Sequence, residues 1–239
     1  MQDSVIQWPL GLDSKDLVGA GITAIVARLN AVVNQTSIRQ YLARQTKQVP
    51  LSLRLRWVEQ LIDAVRFIHS RRVLHGDISC NNVFLDNNLN VKLGDFAGSA
   101  IDNLPPLICY ETSHELPGED ISTRTEQFAL GSTTYEIMTG SKPYNDLPDH
   151  EVSAAFAKGR YPDLECVSAF KNVITKCWRQ SYTSTEEALL DVKLEVAVIK
   201  KSRIPRAQIL SRPFWFPFLL TTASLIPIVH WAKRWRLHQ

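Results

Sequence analysis

Val73-Leu74-His75-Gly76-Asp77-Ile78-Ser79-Cys80-Asn81-Asn82-Val83-Phe84-Leu85 decides how this chain folds, because two apolar segments bracket a polar loop built on His75-Gly76-Asp77. Asn82 follows Asp77 by five residues and stands at the entrance to the second apolar segment. Nine residues beyond Leu85 comes Gly94-Asp95-Phe96-Ala97, again behind an apolar segment carrying Val91 and Leu93. The pattern predicts short strands at 73–75, 83–85 and 91–93 around polar turns, of which Asp86-Asn87-Asn88 is the clearest. Taken singly, Asp77 and Asn82 would be ordinary turn formers. Two such loops, each hung on apolar strands at a fixed separation, are a much more specific signal.

Working outward, Trp57, Leu61, Ala64, Val65 and Ile68 recur at i, i+4, i+7, i+8 and i+11 behind Pro50. That spacing predicts a long helix with one apolar face. Thr36-Ser37 is an N-cap signal for a shorter helix ending near Gln45. Residues 12–33 read as a hairpin, with Val18 before a Gly19-Ala20-Gly21 turn and Ile25, Val26, Val32 and Val33 as β-branched positions. Beyond a loop rich in Pro, Ser and Thr (about 97–123), helices are predicted near 124–139, 149–158, 168–178 and 184–199. Gly140 closes the first, and Thr183 or Ser184 caps the last. There is no internal repeat and no low-complexity segment. Two strands followed mostly by helices make an α+β protein with a helical main lobe.

These motifs resemble the protein kinases. His75-Gly76-Asp77 with Asn82 looks like the kinase catalytic loop, and Asp95-Phe96 looks like the metal-binding Asp-Phe-Gly motif. Glu126-Gln127-Phe128-Ala129-Leu130-Gly131 resembles the start of the buried central helix, and Cys177-Trp178 the end of the domain. The Asp-Phe-Ala-Gly variant and the Asn-rich loop are similar to a family of fungal kinases. The resemblance implies a kinase-like α+β fold, with a truncated β N-lobe over 1–35 and a helical C-lobe over 36–199. It also implies transfer of the ATP γ-phosphate to a protein Ser/Thr hydroxyl. Asp77 would orient that hydroxyl or accept its proton, Asn82 would hold one Mg²⁺ through its amide oxygen, and Asp95 would bridge metals and phosphates. Hard oxygen ligands suit Mg²⁺. His75 and Phe96 would be packing elements that fix these loops. The segment from Leu17 to Val26 resembles the phosphate-covering turn, with Ala24 in place of its third glycine. Gly19, Gly21 and Val26 are the candidate nucleotide contacts, and backbone N–H groups at Gly21 to Thr23 would approach phosphates. By itself the same segment would be a hairpin turn.

Departures from the family are equally legible. After Val33 the family continues to the strand-three lysine, the helix bearing its glutamate partner, two further strands and the hinge. This chain instead enters Thr36-Ser37-Ile38-Arg39-Gln40-Tyr41-Leu42, which resembles the helix past the hinge. Arg28 falls too early to be that lysine and Lys47 too late. The missing contacts are charge-assisted, each roughly twice as strong as a neutral hydrogen bond, and the lysine with its ion pair is required for an active kinase. A two-stranded hairpin is also marginal by itself, so poor ATP affinity and slow turnover are expected. Gly76 stands where the family has arginine, which predicts regulation independent of phosphorylation at Thr112, Ser113 or Thr123. Ser79 replaces a γ-phosphate lysine. Thr185 replaces an arginine that buries against an activation-segment glutamate, which leaves Glu111 without that partner. The His-Gly-Asp form with Ser79 is also similar to the small atypical kinase of the KEOPS tRNA-modifying complex, within this loop alone. The open readings are a truncated Ser/Thr-type kinase, a pseudokinase-like module docking a protein partner, and a gene-model fragment of a normal kinase.

Composition bounds the setting. With 239 residues, 45% hydrophobic and 21% charged, the chain suits one sizeable core. Cys80, Cys109, Cys166 and Cys177 are scattered, which favours free thiols in a reducing compartment. No apolar run follows Met1, so a cytoplasmic protein is expected. Residues 200–239 carry eight Lys/Arg and no Asp/Glu, whereas the other 199 residues hold 19 basic and 24 acidic side chains. An acidic body argues against direct nucleic-acid binding. Pro213 to Ala232 is 20 residues without a charged Asp, Glu, Lys or Arg, long enough to span a bilayer, and Trp215, Trp231 and Trp235 lie near its ends. Pro217 and Pro227 interrupt it. A membrane anchor at 213–232 and an interfacial or disordered tail are both open, as is a non-native end from misread exon boundaries.

Overall fold

A computed structural model describes residues 17–20, 25–27, 36–45, 48–101 and 107–202. The remainder of the expected 12–33 hairpin, Gly21 included, and the 213–232 segment lie outside the described residues. Among the described residues no helix is long and apolar enough to cross a membrane.

The core is organised around two helices. Helix α2 (Leu51–Ser70) buries Leu55, Trp57, Val58, Leu61, Ile62 and Val65 along one face, the stripe its periodicity demands. The Trp57 ring is wholly buried, packs edge-on against Tyr41 and donates from Nε1 to Leu89 O at 2.9 Å. Helix α3 (Thr123–Thr139) is buried on nearly every side, from Thr125 to Met138. Ser122 and Thr125 form a reciprocal capping box at its start, and Gly140 ends it in a left-handed conformation, φ 94°.

Short antiparallel pairs support the loops between them. Strands β1 (Leu17–Ala20) and β2 (Ile25–Ala27) form a hairpin in which Gly19 faces Val26, with a bulge between Leu17 and Gly19. Strands β3 (Thr36–Ser37), β5 (Val83–Leu85) and β6 (Val91–Leu93) make one sheet in the order β3-β5-β6. Strands β4 (Val73–Leu74) and β7 (Ala100–Ile101) make another pair. Thr36-Ser37 thus belongs to a strand before it serves as a cap, and helix α1 (Ile38–Arg44) starts after it, with Ser37 Oγ accepting from Gln40 N at 3.3 Å.

Helices α4 (Asp149–Ala157), α5 (Lys171–Trp178) and α6 (Thr185–Ser202) complete the order. Helix α5 begins three residues later than the 168–178 expectation. Phe170 takes a left-handed φ of 67°, and its N–H donates to Glu195 Oε1 at 2.6 Å instead of entering a helix. Gly131 lets α3 and α5 meet closely: a Cβ there would lie 2.7 Å from Cys177 Cβ and 3.1 Å from Trp178 Cδ1. Trp178 Nε1 donates to Ser132 Oγ across the same contact. Gly131→Ala is therefore expected to destabilise the chain by about 1–3 kcal/mol through overpacking, read as a lower urea midpoint. The result is an α+β protein of six helices and small antiparallel sheets among the described residues.

Candidate active site

Strands β5 and β6 hold the two polar loops side by side. Because Val83 pairs with Leu93, Asn82 falls opposite Gly94, whose N–H donates to Asn82 O at 3.0 Å. His75, fully buried, closes the other side: its Nε2 donates to Gly94 O at 2.8 Å, and its Nδ1 accepts from Asp77 N at 3.2 Å. Both ring nitrogens are committed to backbone, and the ring rests 4.7 Å from that of Phe96. His75 and Phe96 therefore pack and orient.

Asn82 Nδ2 donates twice, to Asp77 O at 2.8 Å and to Asp77 Oδ2 at 2.7 Å. With its nitrogen so committed, the amide oxygen is the atom Asn82 has to offer a cation. Burial pushes the Asp77 carboxyl above the usual aspartate range, and the Asn82 hydrogen bond works against that rise. Asp95 is exposed and sits at φ 58°, a left-handed conformation that is uncommon and strained for a non-glycine residue. The Asp77 and Asp95 carboxylates and the Asn82 amide oxygen are hard oxygen donors of the kind that would suit Mg²⁺.

Glu126, at the first turn of α3, underpins the loop. Its carboxylate is fully buried, with Oε1 accepting from Gly76 N at 2.7 Å and Oε2 from His69 Nε2 at 2.5 Å. His69 Nδ1 lies 2.8 Å from Thr185 Oγ1. Gly76 itself has φ 82°, and a Cβ would come 2.9 Å from Ile108 Cγ2. Ile108 thus packs where a side chain at position 76 would start. Restoring the family's arginine by Gly76→Arg is expected to lower the melting temperature without adding a usable cation.

The family model for the protein kinase domain matches residues 26–215. The chain belongs to the protein kinase family. It is similar to mitogen-activated protein kinase kinase kinase 1b of Physcomitrium patens, 29% identical over 133 residues, 51% of this chain and 17% of that protein. The serine/threonine-protein kinase A-Raf of Mus musculus is 29% identical over 146 residues, 49% of this chain and 24% of the relative. The RGS domain-containing serine/threonine-protein kinase A of Dictyostelium discoideum is 23% identical over 152 residues, covering 60% and 14%. The chain spans about a quarter or less of the length of these curated relatives.

Within this kinase fold Asp77 and Asn82 are hydrogen-bonded to each other, and the loop carrying Asp95 is tied to theirs through Gly94 N to Asn82 O and His75 Nε2 to Gly94 O. Gly19 and Val26 are cross-strand neighbours in the β1–β2 hairpin. Sequence reasoning missed the ionic cluster beside the loop. Arg39 donates to Glu136 from Nε (2.5 Å) and Nη2 (2.7 Å), and to Glu111 from Nη1 (3.0 Å) and Nη2. His114 Nδ1 lies 2.9 Å from Glu111 Oε1, and Arg39 N donates to Cys80 O. Thr185 leaves Glu111 no arginine on α6, and Arg39 with His114 serves instead. Glu111, His114 and Glu136 place ligand-type atoms within 4.8 Å of one another, but Arg39 already bonds both carboxylates and is the cation of this cluster. Ser113, one of the candidate phosphorylation sites, is buried with Oγ 3.0 Å from His114 Nδ1.

This cluster sets an acid limb of stability. Burial opposes ionisation of Glu111, yet hydrogen bonds from His114 and Arg39 outweigh it and hold the carboxyl well below the usual glutamate range. A depressed pKa means that its stabilising contribution is complete above the ordinary value of 4.5 and is lost as pH falls below it. Urea titrations at about pH 6 and about pH 3 should show that loss, and Arg39→Ala should lower stability at the higher pH while flattening the difference.

Proposed function

We propose that the chain transfers the γ-phosphate of ATP to a protein Ser/Thr hydroxyl, slowly, with Asp77 as the residue that orients the hydroxyl and takes its proton. The observation that carries this reading is the double donation from Asn82 Nδ2 to Asp77 O and Oδ2. It holds Asp77 in position and leaves the Asn82 amide oxygen free to share Mg²⁺ with Asp95. The metal supplies neutralisation of phosphate charge. The protein's own part is to hold Asp77 against Asn82, to hold Gly94 between His75 and Asn82, and thereby to aim Asp95. Gly19, Gly21 and Val26 are the proposed nucleotide contacts.

A second reading, a pseudokinase-like docking module, is favoured by one feature. Only eight residues separate Ala27 from Thr36, too few for the lysine strand, its glutamate helix and the hinge. The resemblance to the KEOPS kinase is confined to His75-Gly76-Asp77 and Ser79 in the catalytic loop.

Thermal unfolding with and without Mg·ATP, beside radiolabelled phosphate transfer to a generic protein acceptor, separates the two readings. If ATP binds with a Kd near 1 mM, a tenfold excess stabilises the fold by only about 1.4 kcal/mol. A small, saturable upward shift with transfer above that of an Asp77→Asn control supports the enzyme. No shift and no transfer leaves the docking module.

A further inference from the structure

Helix α6 turns its apolar residues to both sides. Thr185, Ala188, Leu189, Val192 and Val196 are buried against the body. On the opposite face Leu190, Leu194 and Val198 are 57%, 57% and 67% exposed. At 100° per residue these three form one stripe, extended by Glu187 at the N-terminal end and Lys201 at the C-terminal end. The positions 187, 190, 194, 198 and 201 follow spacings of three, four, four and three, a pattern symmetric about Leu194.

We propose that this stripe is the docking face for a second copy of the same chain, with the two α6 helices antiparallel and a two-fold axis at Leu194. The stripe is self-complementary in that arrangement and in no parallel one. Leu194 meets the second copy's Leu194, Leu190 meets its Val198, and Glu187 meets its Lys201. A two-fold contact requires this reciprocity of residue pairs. A parallel pairing would set Glu187 against Glu187 and Lys201 against Lys201. Antiparallel pairing also aligns the helix dipoles favourably. The Glu187 carboxylate is pre-set for the contact: Oε2 accepts from Thr183 N (2.9 Å) and Oγ1 (3.0 Å), which fixes it at the end of the stripe. Lys201 is exposed. One helix pair of this length is below the size of a standard stable interface, roughly 1,200 Å². The dimer is accordingly weak and reversible, with a Kd on the order of 10–100 µM.

Sedimentation equilibrium of the full chain from about 1 to about 200 µM tests this, with charge reversals as the decisive arms. The wild-type chain should fit a monomer–dimer equilibrium. Glu187→Lys and Lys201→Glu should each weaken it about tenfold, and the double variant should restore it, because the pair reforms with its signs exchanged. Leu194→Glu places two carboxylates on the axis and should leave only monomer. Its melting temperature should be unchanged, since Leu194 touches solvent in the monomer. A chain that is monomeric throughout overturns the proposal. So does a dimer insensitive to Leu194→Glu, or a double charge variant no tighter than the singles.

Discussion

Glu126→Ala is expected to remove about 2–6 kcal/mol of unfolding free energy, since it deletes the acceptors of two hydrogen bonds and each stranded donor costs about 1–3 kcal/mol. The carboxylate has no water to fall back on, being fully buried, and each oxygen has one partner: Gly76 N and His69 Nε2. Alanine deletes both acceptors at once and strands the part-buried His69 and the buried Gly76 N–H of the loop that carries Asp77. Total stabilities of single domains are about 5–15 kcal/mol, so the variant should be largely unfolded in modest urea. Glu126→Gln separates charge from shape. It keeps an acceptor for Gly76 N and a polar group for His69, and should lose only about 1 kcal/mol, one neutral hydrogen bond's worth. Urea unfolding followed by circular dichroism reads both. An alanine variant within about 1 kcal/mol of wild type would show that the α3 carboxylate does not hold the loop.

What the sequence made legible was local. Strands at 83–85 and 91–93 fall where apolar runs meet turn residues. The α3 and α4 boundaries were anticipated to within a residue, and Gly140 acts on the end of its own helix, α3. Asp77, Asn82 and Asp95 were findable for the same reason, since each loop carries its motif and its flanking strands in one stretch. Apart from the end of α6, which runs to Ser202 and not 199, the misses are non-local. Strand β7 exists because Ala100 and Ile101 pair with Leu74 and Val73, so its residues read as loop. Phe170 delays α5 because an acceptor on Glu195, 25 residues away, takes its N–H. Arg39 looks like any exposed helical arginine, and its partners lie 72 and 97 residues further on. Glu126 carried a half-signal: an acid in a first helical turn complements the dipole on the surface, and only the buried surroundings of α3 turn it into a structural anchor.

Asp77→Asn is expected to lower phosphate transfer by about 10²–10⁴-fold, the usual contribution of a positioned base, while leaving the fold as stable as before or slightly more so. The direction of the stability effect follows from the carboxyl's environment. Burial raises the Asp77 pKa, so folding disfavours its ionised form. Stability from this group is therefore lower above the folded pKa, where the charge is buried, and a neutral amide of the same shape removes the penalty. The replacement also retains an oxygen for Asn82 Nδ2 to donate to, so the 2.7 Å link can reform. A residue that only supported the loop would lose transfer and melting temperature together. Asp77 should lose transfer with the melting temperature held or raised. The pH profile adds a second signature: wild-type transfer should fall on acidification as Asp77 is protonated, at a pH above the ordinary aspartate range, and the residual transfer of the variant should lack that limb. Equal transfer by the two proteins, or a deficit that matches the fraction unfolded, would take Asp77 out of the reaction and leave its contact with Asn82 as loop architecture.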